Sequence, residues 1–187
     1  MMKLKIAFLM IALGLVGCTA NKPVTYLVLS PVPGLVYPAS GQIIAVGSVI
    51  MPPAIDRSAL TTGSSDTTLD ISYDAQWAAP LDAMAQTVLA RDLAARLPGH
   101  RVLMPGDTVP GQALIVSVNI VTFLPYAGHV VLAADWNAAT NTVKTMETGR
   151  VQIITSSGAA PQAQALAMSQ ALGHLADEIA SRIAGTS

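Results

Sequence analysis

Two stretches of this chain repeat apolar residues at helical spacing, and what lies between them is β-branched, proline-rich or polar. Leu81, Met84, Ala85, Val88, Leu89 and Leu93 fall at i, i+3, i+4, i+7, i+8 and i+12, which draws one apolar face on a helix. Ala165, Met168, Leu172, Leu175, Ile179 and Ile183 draw a second stripe at steps of three and four. Each stripe must be buried against another layer. The first helix carries Pro80 in its opening turn and stops at Leu97-Pro98-Gly99. Arg91 and Arg96 lie in its later half, where positive charge suits the helix dipole. The second begins at Pro161.

The remaining segments supply strands for that other layer. Val24 to Leu29 is β-branched and aromatic and reads as a first strand. Gln42 to Met51 is apolar on both faces, as a central strand is, and Pro52-Pro53 stops it. Ser58 to Asp66 is a polar connection. Thr67, Leu69, Ile71 and Tyr73 then alternate with Thr68, Asp70 and Ser72, which predicts a half-buried strand. After the first helix come a short strand, Arg101 to Met104, and three longer ones: Ala113 to Leu124, His129 to Asn137 and Val143 to Thr155. Short turns join these three, so they form an antiparallel meander. The order is three strands, helix, four strands, helix. The predicted fold is α+β in two layers: a mixed, mainly antiparallel sheet with two helices packed on one face. The other face is left for solvent or another subunit.

Several residues stand out against this frame. The prolines of Pro31 to Pro38 allow neither helix nor central strand, so this is a loop. It carries Leu35, Val36 and Tyr37 either over the core or toward a partner. Asp56 and Arg57 follow the proline stop, where they either fix the turn or meet a neighbouring subunit. Trp77 is expected in the core beside the first helix, and Pro80 and Trp136 are expected to be structural.

The N-terminus has its own pattern. Lys3 and Lys5 precede an apolar run from Ile6 to Val16, and Gly17 supplies a small residue before Cys18. This is the layout of a secretory signal, and the run is shorter than the roughly 20 apolar residues a membrane span needs. Leu15-Val16-Gly17-Cys18 resembles the lipobox of bacterial lipoproteins. The resemblance implies a signal peptide over 1–17, a lipidated Cys18 with a tether over 18–23, and a domain over 24–187. In such lipoproteins Asp after the Cys favours the inner membrane; Thr19 stands there, which favours the outer one. Removing residues 1–17 from 187 leaves 170, enough for one domain with a core. The 10 basic and 11 acidic residues become 8 and 11, a net charge of −3. No basic patch is implied, so nucleic acid is not an expected partner. Cys18 is the sole cysteine; once acylated, it leaves no disulfide and no thiol chemistry.

Catalytic patterns are not apparent. There is no Gly-x-Ser-x-Gly elbow, Ser-x-x-Lys pair or phosphate-cradling glycine loop. His100, His129 and His174 lack second ligands at zinc spacing and are expected to be solvated or locally bonded. Asp70 and Asp74 read as solvated carboxylates. The reading is a non-enzyme with no metal and no cofactor beyond the covalent lipid on Cys18.

Segments spread over the chain resemble the ABC-type transport auxiliary lipoprotein family, the PqiC-like group. They are Tyr26-Leu27-Val28-Leu29; Val46 to Arg57 with Ile55-Asp56-Arg57; Trp77-Ala78-Ala79-Pro80-Leu81; Val88 to Leu93; and Val130 to Trp136. The family pattern has Leu where Ile55 stands and commonly an acidic residue where Ala79 stands. The resemblance implies an outer-membrane lipoprotein facing the periplasm. It would be a non-catalytic accessory subunit of an MCE-type (PqiAB-like) lipid transport system that maintains envelope integrity. The implied partners are an MCE-domain protein, further copies of the chain, and the membrane through the lipid. The alternative is a lipoprotein that carries a lipid or small molecule itself, which requires an apolar cavity of several hundred Å3.

Overall fold

The computed structural model describes residues 23–38, 41–141 and 147–185. The expected signal peptide, Cys18, most of the tether and the predicted strand start at Val143 lie outside them. The strands are β1 (Thr25–Leu27), β2 (Ile43–Ile50), β3 (Ala59–Ser65), β4 (Thr68–Trp77), β5 (Arg101–Leu103), β6 (Leu114–Tyr126), β7 (His129–Ala139) and β8 (Glu147–Ser156). The helices are α1 (Leu81–Arg96) and α2 (Pro161–Gly185). All eight strands join one mixed sheet, and both helices pack on one of its faces.

The long strand β6 is the spine. One of its edges carries β7 antiparallel, and β7 carries β8 antiparallel. The other edge holds β2 in parallel, with β5 beyond it, and near Tyr126 it meets β3. β3 continues to β4 antiparallel and then to β1 parallel, so β1 and β8 are opposite edges of the sheet. The longest ladders are the antiparallel ones of the meander, as expected. The β6–β7 turn is Ala127-Gly128, with φ of 48° and 80°. Positive φ at both positions matches the strand twist in a two-residue hairpin. Ala127, with its Cβ, pays about 1–2 kcal/mol for it.

The core lies between sheet and helices. Val130, Leu132, Ala134, Trp136 and Ala138 of β7 point into it, as do Val116, Val118, Ile120 and Phe123 of β6. From α1 it takes Leu81, Ala85, Val88, Leu89 and Leu93, and all six residues of the predicted α2 stripe are buried. Each fully buried Leu or Ile contributes about 1.5–3 kcal/mol. Among the described residues no helix is long and apolar enough to cross a membrane.

Four expectations are corrected. The polar stretch Ser58 to Asp66 contains β3, paired between β4 and β6: Leu60 and Thr61 are buried, and the β-branched Thr61 and Thr62 suit a strand although the segment shows no apolar alternation. In β4, Leu69, Ile71 and Tyr73 are exposed rather than half-buried, since this end of the hairpin projects past the helices. Pro80 is the N-cap of α1, which starts at Leu81, rather than a residue of its opening turn, and Trp77 ends β4. His100 is not solvated but buried in its turn, and burial lowers its pKa.

Candidate functional site

The sheet face turned away from the helices is open. Alternation along the meander places Ser117 and Asn119 of β6, Asp135 and Asn137 of β7, and Thr148 and Arg150 of β8 on it. Two irregularities bend the sheet there. β2 shifts register between Val46 and Val49, and β6 between Ile120 and Thr122; such bulges bend a strand and increase its twist. The β2 bulge is held from the helix side, where Gln86 Nε2 donates to Val46 O at 3.0 Å and to Gly47 O at 2.6 Å. The result is a shallow hollow of about 740 Å3, with Ser48 and Ile50 on its rim, running into a second of about 530 Å3 beside Val121. Asp135 and Arg150 line both. Arg150 Nε donates to Asp135 Oδ1 at 2.5 Å; this bond raises the arginine's pKa and holds the carboxyl below its ordinary range. The first hollow is open to solvent and lined mainly by polar and charged residues, and the second, beside Val121, Ala133 and Val151, is more apolar; both are shallow surfaces suited to contact rather than to enclosing a molecule. Beneath the first, Trp136 is 3% exposed, its indole lying over Gly149 where a Cβ would collide with the ring.

A second feature is the Pro31–Pro38 segment, which crosses the C-terminal end of α1 and the middle of α2 as a strap. Arg96, 1% exposed, fastens it. Its Nε donates to Asp177 Oδ1 at 2.6 Å, Nη1 to Val32 O at 3.2 Å, and Nη2 to Gly173 O at 3.0 Å. The strap's own amides complete the latch. Val32 N donates to Asp92 Oδ1 (3.0 Å), Leu35 N to Asp177 Oδ1 (3.1 Å) and Tyr37 N to Arg96 O (2.7 Å). Gly34 lies directly over the guanidinium, which leaves no room for a Cβ. Asp92, fully buried, has a pKa raised to about 6: burial is the main cause, opposed by the Val32 N–H and by Arg96. Arg96 was expected to serve the dipole; it is instead the buried fastener. The readable signal was spacing, since Asp92 and Arg96 extend the stripe of Leu81, Ala85, Val88 and Leu89 and therefore face inward.

The singled-out residues fall into three places. Leu35 and Val36 stand exposed on the strap at 65% and 61%, while Tyr37 packs partly against the core. Asp56, Arg57, Trp77 and Pro80 come together around a hollow of about 410 Å3. There Ile55 and Asp56 amides turn back on Pro52 O, Trp77 is buried, and the Asp56 and Arg57 side chains face solvent. Trp136 lies alone under β8. Cys18 lies outside the described residues. His129 and His174 are exposed. No group of three or more His, Cys, Asp or Glu that would hold a metal exists among the described residues.

The geometry defines a helix-backed sheet domain that presents surface: an open, shallow concave face on one side, an apolar strap fastened over the helices on the other. The chain belongs to the family of ABC-type transport auxiliary lipoprotein components, whose model matches residues 27–180. Two solved structures share the fold. One, titled as an uncharacterized protein, has TM-score 0.73 at 19% identity, covering 87% of this chain and 99% of its own. The other is protein XCC0632 from Xanthomonas campestris, of the domain family DUF330, with TM-score 0.65 at 15% identity, covering 87% and 97%. None of the curated proteins compared matches the sequence. Membership makes the protein an auxiliary lipoprotein component of a transport system.

Proposed function

We propose that the protein is an outer-membrane-anchored periplasmic lipoprotein, acylated on Cys18, and a non-catalytic accessory subunit of an MCE-type lipid transport system. In this role it docks its partner, and further copies of itself, through the open sheet face. The observation that carries the reading is that face: a hollow of about 740 Å3, open to solvent and lined by Ser117, Asn119, Asp135, Asn137 and Arg150. A carrier needs an enclosed apolar cavity; an adaptor needs a shaped, polar-rimmed surface, and a stable contact on it buries more than about 1,000 Å2 in total. The Leu35-Val36-Tyr37 strap and the Asp56-Arg57 turn are further contact surfaces.

Light scattering of the unacylated domain, alone and with the periplasmic part of an MCE-type protein, tests the docking. The expected result is a closed oligomer and a complex, without hydrolytic turnover. A strict monomer that ignores the partner and co-purifies with phospholipid overturns the adaptor reading in favour of the carrier. Cys18→Ala tests the anchor: the domain should leave the membrane fraction or remain as an uncleaved precursor, still folded.

A further inference from the structure

Among the exposed apolar side chains of this domain, three stand together around one groove. Tyr26 is 67% exposed, Val28 56% and Leu166 56%, and Val24 adds to them. Tyr26, Val28 and Leu166 line one groove of about 230 Å3 between β1 and the start of α2, whose other lining residues include Ser30, Gln162 and Ser169; Val24 stands two residues before Tyr26 along the chain. No Asp, Glu, Lys, Arg or His lines it, so covering it desolvates no charge. The patch is rigid, because Ser30 N donates to Ser169 Oγ at 3.1 Å and ties the chain after β1 to the helix. The exposed Leu69, Ile71 and Tyr73 of β4 differ: Asp66, Asp70 and Asp74 are interspersed with them.

The sequence tells what lies next to the groove. Only residues 19–23 separate Cys18 from Val24, and five residues reach at most about 15–20 Å. Given the acylation of Cys18 proposed above, on which this inference rests, the groove edge is always within a short reach of the bilayer. An uncharged apolar rim with a tyrosine at its centre is the composition that settles at a membrane interface. We propose that Val24, Tyr26, Val28 and Leu166 form a second, non-covalent membrane contact that rests on the lipid surface and fixes the domain's orientation. Edge β1 then faces the bilayer, and edge β8, at the opposite end of the sheet, is held away from it.

Fluorescence quenching on vesicles tests this. The chain from Cys18 onward has its core within residues 23–185, and Cys18 is its sole cysteine. It is therefore coupled to a maleimide lipid in phosphatidylethanolamine–phosphatidylglycerol vesicles containing brominated phosphatidylcholine. The native Trp77 and Trp136 are buried and set the background. With that background subtracted, the emission of Tyr26→Trp should be quenched at least twofold relative to vesicles without bromine, and that of Ile154→Trp on β8 should not be. Val28→Trp repeats the measurement if Tyr26→Trp misfolds. Adding Leu166→Gln should reduce the quenching severalfold with unchanged circular dichroism. Equal quenching at residues 26 and 154, or none at 26, shows a domain turning freely on its tether and overturns the proposal. Tyr26→Trp emission already blue-shifted without vesicles, and dependent on protein concentration, assigns the patch to a second copy and also overturns it. Chemical coupling supplies the anchor, so this outcome is independent of cellular acylation, which the Cys18→Ala fractionation reads separately.

Discussion

Replacing Arg96 with Met keeps most of the stem's volume and removes the guanidinium from a site that is 1% exposed. The substitution deletes bonds to Asp177, Val32 O and Gly173 O and leaves the fully buried Asp92 without its cation. Removing one partner of a buried ion pair costs about 3–5 kcal/mol. Asp92 is already raised to about 6, so it takes up a proton and limits the loss to the lower part of that range. For a domain of this size each kcal/mol lowers Tm by about 2–4 °C, so Tm should drop roughly 10 °C. Urea unfolding followed by circular dichroism measures the loss, and hydrogen exchange at Val32 and Leu35 reports whether the strap is released. The double variant Arg96→Met, Asp92→Leu should recover much of the stability, because an apolar pair can replace a buried ionic one. A loss under about 1 kcal/mol with unchanged exchange would refute the latch; a double variant no better than the single would refute its electrostatic account.

Three further outcomes follow from the same geometry. The carboxyl of Asp92 stands at about 6 in the fold against an ordinary 3.8, so the native state holds its proton more tightly than the unfolded chain does. Its stabilising contribution, at most about 3 kcal/mol, is complete below 3.8 and is lost as pH rises through 6; Asp92→Asn should flatten the stability profile between those values in urea titrations. Gly149→Val drives a side chain into the Trp136 indole and should cost about 1–3 kcal/mol with a red-shifted tryptophan emission; an unchanged Tm would count against the packing described for Trp136. Trp77→Ala should cost about 3–5 kcal/mol by calorimetry, whereas Arg57→Ala, facing solvent, should leave Tm within about 1 °C and show its effect only in assembly.

The layered fold was legible wherever burial is one-sided. The α2 stripe from Ala165 to Ile183 keeps helical spacing, and β7, β8 and the first part of β6 keep the alternation of a strand, so these elements are found where their patterns put them; only the bulge after Ile120 shifts the phase. β3 was not legible, because Thr61, Thr62, Gly63 and Ser64 carry no apolar alternation. Leu69, Ile71 and Tyr73 misled for the opposite reason: they alternate correctly, yet this end of the β3–β4 hairpin extends beyond the helices. The site was less legible than the fold. Asp135 and Arg150 are 15 residues apart and become neighbours only through the β7–β8 register. Arg96 reads as a solvent charge unless its place on the stripe outweighs its chemistry.

The latch also sets the order in which the molecule can be completed. Ser30 bonds to a residue 139 positions later and Leu35 to one 142 positions later. A chain delivered front end first therefore presents its strap long before the second half of α2 arrives to receive it. Contacts of such separation form late and slow the final step. The front of this protein stays undocked until the chain has been delivered as far as Asp177, so its N-terminal segment is the last part of the domain to be fixed.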